Sequence, residues 1–488
     1  MKKSTAFLFA ALFTAALQAA TVDRVIVRQQ WPWHDGVKIE YSLSGMTGPV
    51  DIGVTVYRDG TLVENIPAPA FSGDIYGVKS AVGTIMLDPA LAFGPAASKI
   101  RDLRFELTAV PAAEKMNEVL YRIYDLNSGD CDEVTRGELL NGEYGSIETE
   151  YAKIGDGFVS PLDDVLIWTG VTNGILYKTD KLVMRKMSAK DVVWRAGDAA
   201  GAETHYNTQA QKYVKLTQDF YIGVFEITQY QWKKIYGSSA GCAYKDAEDH
   251  DIRPVETVAR YNVNGNMNPA GTKGVITGET VNWPTNSYIH DVGAGTFMDQ
   301  LRKKTGVEFD LPTATQWQFA CAAGSETVLY SGKEQTEANA GEIGWYKGNC
   351  TETHAVGEKP ANGYGLYDML GNVCEYMHNV QSIYTNAVCG TGTQEDPYVD
   401  PLGEDTARHD NSGTRNRLLA GGAYGRSAAE IESSESKTKV YAEMDYWYDL
   451  RQASFINYHG WTEMCSYDGF RVVCPATADG QWGPHPVK

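Results

Sequence analysis

After its first twenty residues the chain has no long apolar run, so no later segment is suited to cross a bilayer as a helix. It has no Cys-x-x-Cys pair, and its nine His do not cluster with its eight Cys, which argues against a zinc site. Positive charge is scarce. The 43 Lys and Arg stand against 62 Asp and Glu, a formal net charge of −19 at pH 7, so nucleic acid and anionic membrane surfaces have no electrostatic reason to bind. What the chain does hold is glycine and aromatic side chains. Its 49 Gly and 11% Phe, Trp and Tyr suit a loop-rich globular protein with many short elements, not a disordered one. A length of 488 residues accommodates roughly two or three domains.

Residues 1–20 read as a secretory signal. Lys2 and Lys3 form a basic end, Ala6 to Leu17 an apolar run, and Ala19 and Ala20 supply small residues near a cleavage point. No Cys follows directly, so a bacterial lipid anchor is not supported. The expectation is export to the periplasm or the extracellular space, with no transmembrane segment once the signal is removed. Export makes disulfides the default for Cys131, Cys242, Cys321, Cys350, Cys374, Cys389, Cys465 and Cys474, with the pairing open.

Residues 21–112 alternate apolar and polar side chains in short runs, as in Val37-Lys-Ile-Glu-Tyr-Ser-Leu43 and Asp51-Ile-Gly-Val-Thr-Val-Tyr57, with Asp35-Gly36 and Asp59-Gly60 as turns. This pattern predicts a β-sandwich of immunoglobulin or fibronectin type. Trp31-Pro-Trp33 is expected to plug its core rather than to form a sugar platform. Residues 113–182 read as a connecting region, with strands expected at Glu118 to Ile123 and Tyr177 to Arg185. Phe220 to Thr228 predicts a strand, and Thr228 is placed to cap a helix from Gln229 to Tyr236. A second helix is expected over Thr296 to Thr305, closed by Gly306. A third starts at Thr313, where Thr313-Ala-Thr-Gln316 fits a capping box. Residues 477–488 form a tail.

The chain is organised around Tyr364-Gly-Leu-Tyr-Asp-Met-Leu-Gly-Asn-Val-Cys-Glu-Tyr376. Gly365 and Gly371 stand where a backbone turns sharply or passes close to another segment. Asn372 and Glu375 are three residues apart, which on a helical turn puts an amide oxygen and a carboxylate on one side. Such a pair serves either a hard cation or a buried hydrogen-bond network.

This stretch resembles the signature of the sulfatase-modifying-factor family, which includes the formylglycine-generating enzymes. That family usually carries an aromatic residue at Cys374 and Trp at Tyr376. Further landmarks follow in family order: Phe220-Tyr-Ile-Gly-Val-Phe-Glu-Ile-Thr-Gln-Tyr-Gln-Trp232, Arg253-Pro-Val255, Leu311-Pro-Thr-Ala-Thr-Gln-Trp317, Arg417-Leu-Leu-Ala-Gly-Gly422 and Gly469-Phe-Arg-Val-Val473. The resemblance covers roughly residues 183 to 476. It implies an α+β protein in which the N-terminal sandwich precedes a loop-rich, C-type-lectin-like domain.

In the formylglycine-generating branch two cysteines follow the Arg-Gly-Gly-type strand, bind copper(I) and activate oxygen against a substrate cysteine. Here Arg426 and Ile431 stand at those spacings, and neither is a copper(I) ligand or a redox thiol. No catalytic residue is therefore assigned, and copper is not expected. The resemblance also implies a calcium site of Asn372 and Glu375 with the carbonyls of Gly371 or Val373, and a second site near Asn339. It further implies a Cys321–Cys474 disulfide: relatives often bridge from the position of Cys321 to that of Val472, and Cys474 lies on the same strand face as Val472. Relatives cross residues 426–467 quickly, whereas this chain carries Arg426, Tyr446, Trp447, Tyr448 and Trp461 there. Those side chains either line a ligand surface or pack on themselves. The function implied is a non-catalytic, calcium-braced binding or structural module for an unidentified protein or glycan. The alternative is a formylglycine-generating oxidase acting on a cysteine of sulfatase-type substrates.

Overall fold

The computed structural model describes residues 20–30, 35–63, 66, 70–94, 102–148, 153–154, 158–159, 166–197, 211–265, 292–334, 336–378, 390–400, 417–424, 455–459 and 465–482. Residues 1–19 of the expected signal, Trp31-Pro-Trp33, Cys389 and residues 483–488 of the expected tail lie outside them. The chain forms two compact units, Met1–Leu120 with Val134–Ile147, and Tyr121–Glu133 with Glu148–Lys488.

The first unit contains the expected sandwich. Its strands are β1 (Thr21–Gln29), β2 (Val37–Ser44), β3 (Val50–Arg58), β4 (Thr61–Leu62), β5 (Phe71–Gly73), β6 (Val82–Leu87) and β7 (Leu103–Pro111). They make two sheets, ordered β1-β2-β6-β5 and β4-β3-β7. The period-2 pattern explains the layering. In β2, Val37, Ile39, Tyr41 and Leu43 are buried, while Lys38, Glu40 and Ser42 are only half-buried on the other face. Ile39, Val50, Ile85 and Leu87 are fully buried between the sheets, each contributing about 1.5–3 kcal/mol by the transfer of its side chain. Asp59 (φ 51°) and Gly60 (φ 76°) join β3 to β4 with two left-handed residues, the backbone a tight hairpin requires.

The second unit is built on a five-stranded sheet ordered Val473–Pro475, Phe220–Gly223, Lys181–Met187, Val119–Asp125, Cys131–Thr135. Two expected strands are shorter than the sequence suggests. Residues Ile175–Lys178 are a 3₁₀ turn, and the strand begins only at Lys181. The Thr179 hydroxyl donates back to the Ile175 carbonyl and closes that turn. The strand from Phe220 ends at Gly223, although the backbone beyond keeps the same neighbours: Val224 N–H donates to Val183, and Ile227 N–H to Phe470.

The three helices expected from the sequence start where their caps direct. Thr228 and Thr313 each form a capping box, with Gln231 and Gln316, over Gln229–Tyr236 and Ala314–Ala322. Thr296 caps Phe297–Thr305, which ends at left-handed Gly306. Trp232 stacks on Phe297 at 5.4 Å and meets the edge of Phe470, joining two helices to the Gly-Phe-Arg segment. Every residue of Ala314–Ala322 is buried, so this helix carries no polar stripe. Among the described residues no helix is long and apolar enough to cross a membrane.

The expected Cys321–Cys474 bridge is corrected: the two thiols are not joined to each other, and each is free. Their thiols answer to different neighbours. Cys474 pairs with Tyr221 across the sheet, and its Sγ lies 4.0 Å from the Tyr124 hydroxyl. Cys321 lies near Tyr330, Glu375 and Arg471. Burial pushes the Cys474 thiol up to about 12 and that of Cys321 well above its ordinary range, so both behave as small apolar groups.

Candidate functional site

Residues 371–375 do not form a helical turn. Gly371 (φ 87°) and Asn372 (φ 59°) are left-handed, and Cys374–Tyr376 is a strand between Arg417–Ala420 and Asp468–Gly469. Gly371 is required by close approach, since a Cβ there would stand 2.4 Å from the Trp345 carbonyl oxygen. Asn372 and Glu375 therefore serve two connected networks instead of one shared ligand position.

Asn372 is completely buried. Its Oδ1 accepts from the His354 N–H at 3.0 Å, and its Nδ2 donates to Glu226 Oε2 at 2.8 Å and to the His354 carbonyl at 3.3 Å. Glu226 Oε1 accepts from the Val373 N–H at 3.1 Å. Glu375 holds the other network. Arg471 donates from Nε to both of its oxygens at 2.7 and 2.8 Å and from Nη2 at 2.6 Å, while the Trp317 indole donates at 2.7 Å. Arg471 further donates to the carbonyls of Gly223 and Tyr367, both at 2.9 Å. One guanidinium thus ties its own segment to Gly223 and to two points of the Tyr364–Tyr376 stretch.

The electrostatics are unusual for a protein interior. Glu226, Asp368 and Glu375 are buried around Arg471, three carboxyls to one guanidinium. Burial, with the like charges of Asp368 and Glu375, raises the Glu226 carboxyl well above the ordinary range. Burial pushes Asp368 up to about 6, against the Gly357 N–H that favours its charged form. Lys178 is buried over the Phe225 ring, and desolvation lowers its ammonium.

These residues do not fit calcium. The Glu375 carboxylate is engaged by a guanidinium and an indole, so a cation there would have to displace Arg471. The Asn372 oxygen is engaged by an amide. The carbonyls of Gly371 and Val373 bring no charge of their own. Asn339 lies near the start of the helix Glu337–Ile343, its side chain donating to the Glu334 carbonyl. Among the described residues no group of three or more His, Cys, Asp or Glu is placed to hold a metal ion. Arg426, Ile431, Tyr446, Trp447, Tyr448 and Trp461 lie outside the described residues. The segment leading to them is seen as far as Tyr424, whose N–H donates to the Asn372 carbonyl.

Residues 180–453, more than half of the chain, match the family of sulfatase-modifying factor enzyme 1-like domains. The chain belongs to this family. The strands and helices of the second unit are thus those of a C-type-lectin-like domain in an α+β protein. Among curated relatives, the chaperone protein LppX of Paenibacillus barcinonensis is 30% identical over 204 residues, 36% of this chain and 66% of the relative. The formylglycine-generating enzyme of Mycobacterium tuberculosis is 35% identical over 82 residues, 14% of this chain and 25% of the relative. The chain therefore spans just under two thirds of the first relative and a quarter of the second. Among solved structures, Treponema denticola variable protein 1 matches with 20% identity and a TM-score of 0.40, over 60% of this chain and 95% of that one.

The sequence located Asn372 and Glu375 but not their partners. Glu226 carries a signal in retrospect, as the one charged residue in Phe220-Tyr-Ile-Gly-Val-Phe-Glu-Ile. Arg471 sits inside the Gly-Phe-Arg landmark without any sign of what it binds.

Proposed function

We propose that this chain is an exported, non-catalytic member of its family, a binding or structural module braced by the Glu375–Arg471 network in place of calcium. The observation that carries this reading is the pair Arg426 and Ile431 at the spacings where the oxidase branch carries its thiols. Those two positions offer no thiolate pair to bind copper(I) and no redox cysteine to engage a substrate thiol. The N-terminal basic–apolar–small pattern supports export. Kinship with a protein named a chaperone suits a role in handling another protein without covalent chemistry.

The second reading, a formylglycine-generating oxidase, draws on the 82-residue match to such an enzyme. One experiment separates the two. Purified full-length chain is incubated with copper(I), oxygen and a peptide bearing a sulfatase-type cysteine, and the peptide is weighed by mass spectrometry. The expected result is unmodified cysteine. Conversion to the aldehyde would establish the oxidase instead.

A further inference from the structure

The outer face of the N-terminal sandwich holds a groove of about 510 Å³, separate from the Arg471 network. Strand register builds it in rows. Arg24 of β1 pairs with Ser42 of β2, which pairs with Val82 of β6; Ile26 pairs with Glu40, and Glu40 with Thr84. Arg28, Tyr41, Asp74 and Gly83 complete the lining. Every second residue of a strand shares a face, so Arg24, Ile26 and Arg28 stand in line along β1.

Three properties restrict what this groove can hold. Cations balance acids in the lining, although the whole chain carries −19: Arg24 and Arg28 stand with Glu40 and Asp74. Glu40 is engaged by Lys38 at 2.9 Å and Arg28 at 3.2 Å, whereas Arg24 makes no hydrogen bond or ion pair to another described residue. Both signs of charge and the hydroxyls of Ser42 and Thr84 lie within a few side chains of each other, beside apolar Ile26 and the 65% exposed Val82.

We propose that this groove binds an anionic saccharide. A guanidinium fork matches a carboxylate or a sulfate equally in kind. Sugar hydroxyls both donate and accept, so Glu40, Asp74, Ser42 and Thr84 can all be satisfied, and the C–H face of a ring covers Ile26 and Val82. An acidic peptide fits less well, because its closely spaced carboxylates would meet Glu40 and Asp74. A second copy of β1 is disfavoured too: antiparallel pairing about Ile26 would set Arg24 against Arg28.

The test is calorimetric titration of the full chain with oligogalacturonate, a sulfated chondroitin oligosaccharide, methyl-esterified oligogalacturonate and oligoglutamate. Binding of either anionic sugar is expected, weakening with salt, together with no binding of the uncharged ester. Arg24→Ala should weaken it about tenfold, the effect of losing one charge-assisted hydrogen bond, with an unchanged melting midpoint. Failure of both anionic sugars to bind would overturn the proposal. So would an Arg24→Ala chain that binds like the parent, or an oligoglutamate that binds as well as the sugars.

Discussion

The two units hold short strands together by opposite means. In the sandwich, strands such as β2 and β3 pair along most or all of their length, and among the described residues of β1 to β7 no Asp, Glu, Lys or Arg is buried. In the second unit, strands of two to four residues recur, and the interior contains Glu226, Asp310, Asp368, Glu375, Asp468, Arg260 and Arg471. A ladder satisfies its own backbone groups, whereas a chain of loops leaves carbonyls and amides that must find partners elsewhere. Arg471 answers the Gly223 and Tyr367 carbonyls, and Glu226 and Asn372 answer the amides of Val373 and His354. The interior charges thus follow from shortage of regular structure.

Truncation in each unit tests that contrast and should give the largest effects. Glu375→Ala leaves the Arg471 charge buried without its carboxylate, at a cost of about 3–5 kcal/mol. Ile85→Ala in the sandwich costs about 2–5 kcal/mol by cavity formation. The difference appears on repair. Replacing the ion pair together, as Glu375→Leu with Arg471→Met, should fail to restore stability, because the carbonyls of Gly223 and Tyr367 then lose their donor. Recovery of the parent midpoint in urea would show that the network is only an ion pair.

An intermediate effect is expected from pH. Asp368 is raised to about 6 in the folded chain from an ordinary 3.8. The folded state therefore holds its proton more tightly than the unfolded state. Its contribution is fully present below about pH 4 and is lost as pH rises through 6. The difference approaches about 3 kcal/mol across that window. Asp368→Asn should flatten this part of the stability profile, measured by urea unfolding at stepped pH. A parent and a variant with parallel profiles would remove Asp368 from the account.

The smallest expected effect is that of calcium. With Glu375 held by Arg471, the melting midpoint in millimolar calcium should equal that in chelator. A calcium-dependent rise, abolished by Glu375→Gln, would mean that the cation displaces the guanidinium and that the second unit is metal-braced after all.

Elements whose cause is local were legible in the sequence. The alternation of β2 and β3, the Asp59-Gly60 turn, the caps at Thr228 and Thr313 and the helix end at Gly306 depend on residues at most a few positions apart. Each was placed within a residue or two. Family membership was legible for a related reason, since ordered motifs carry it without any knowledge of contacts. Tertiary structure decided the rest. Whether Asn372 and Glu375 bind a cation or a side chain depends on Glu226 and Arg471, which lie 146 and 96 positions away. The separation of Cys321 from Cys474 depends on where α-helix and sheet set each thiol. Partners at such distances are chosen by packing of the whole unit, and no spacing within one motif encodes them.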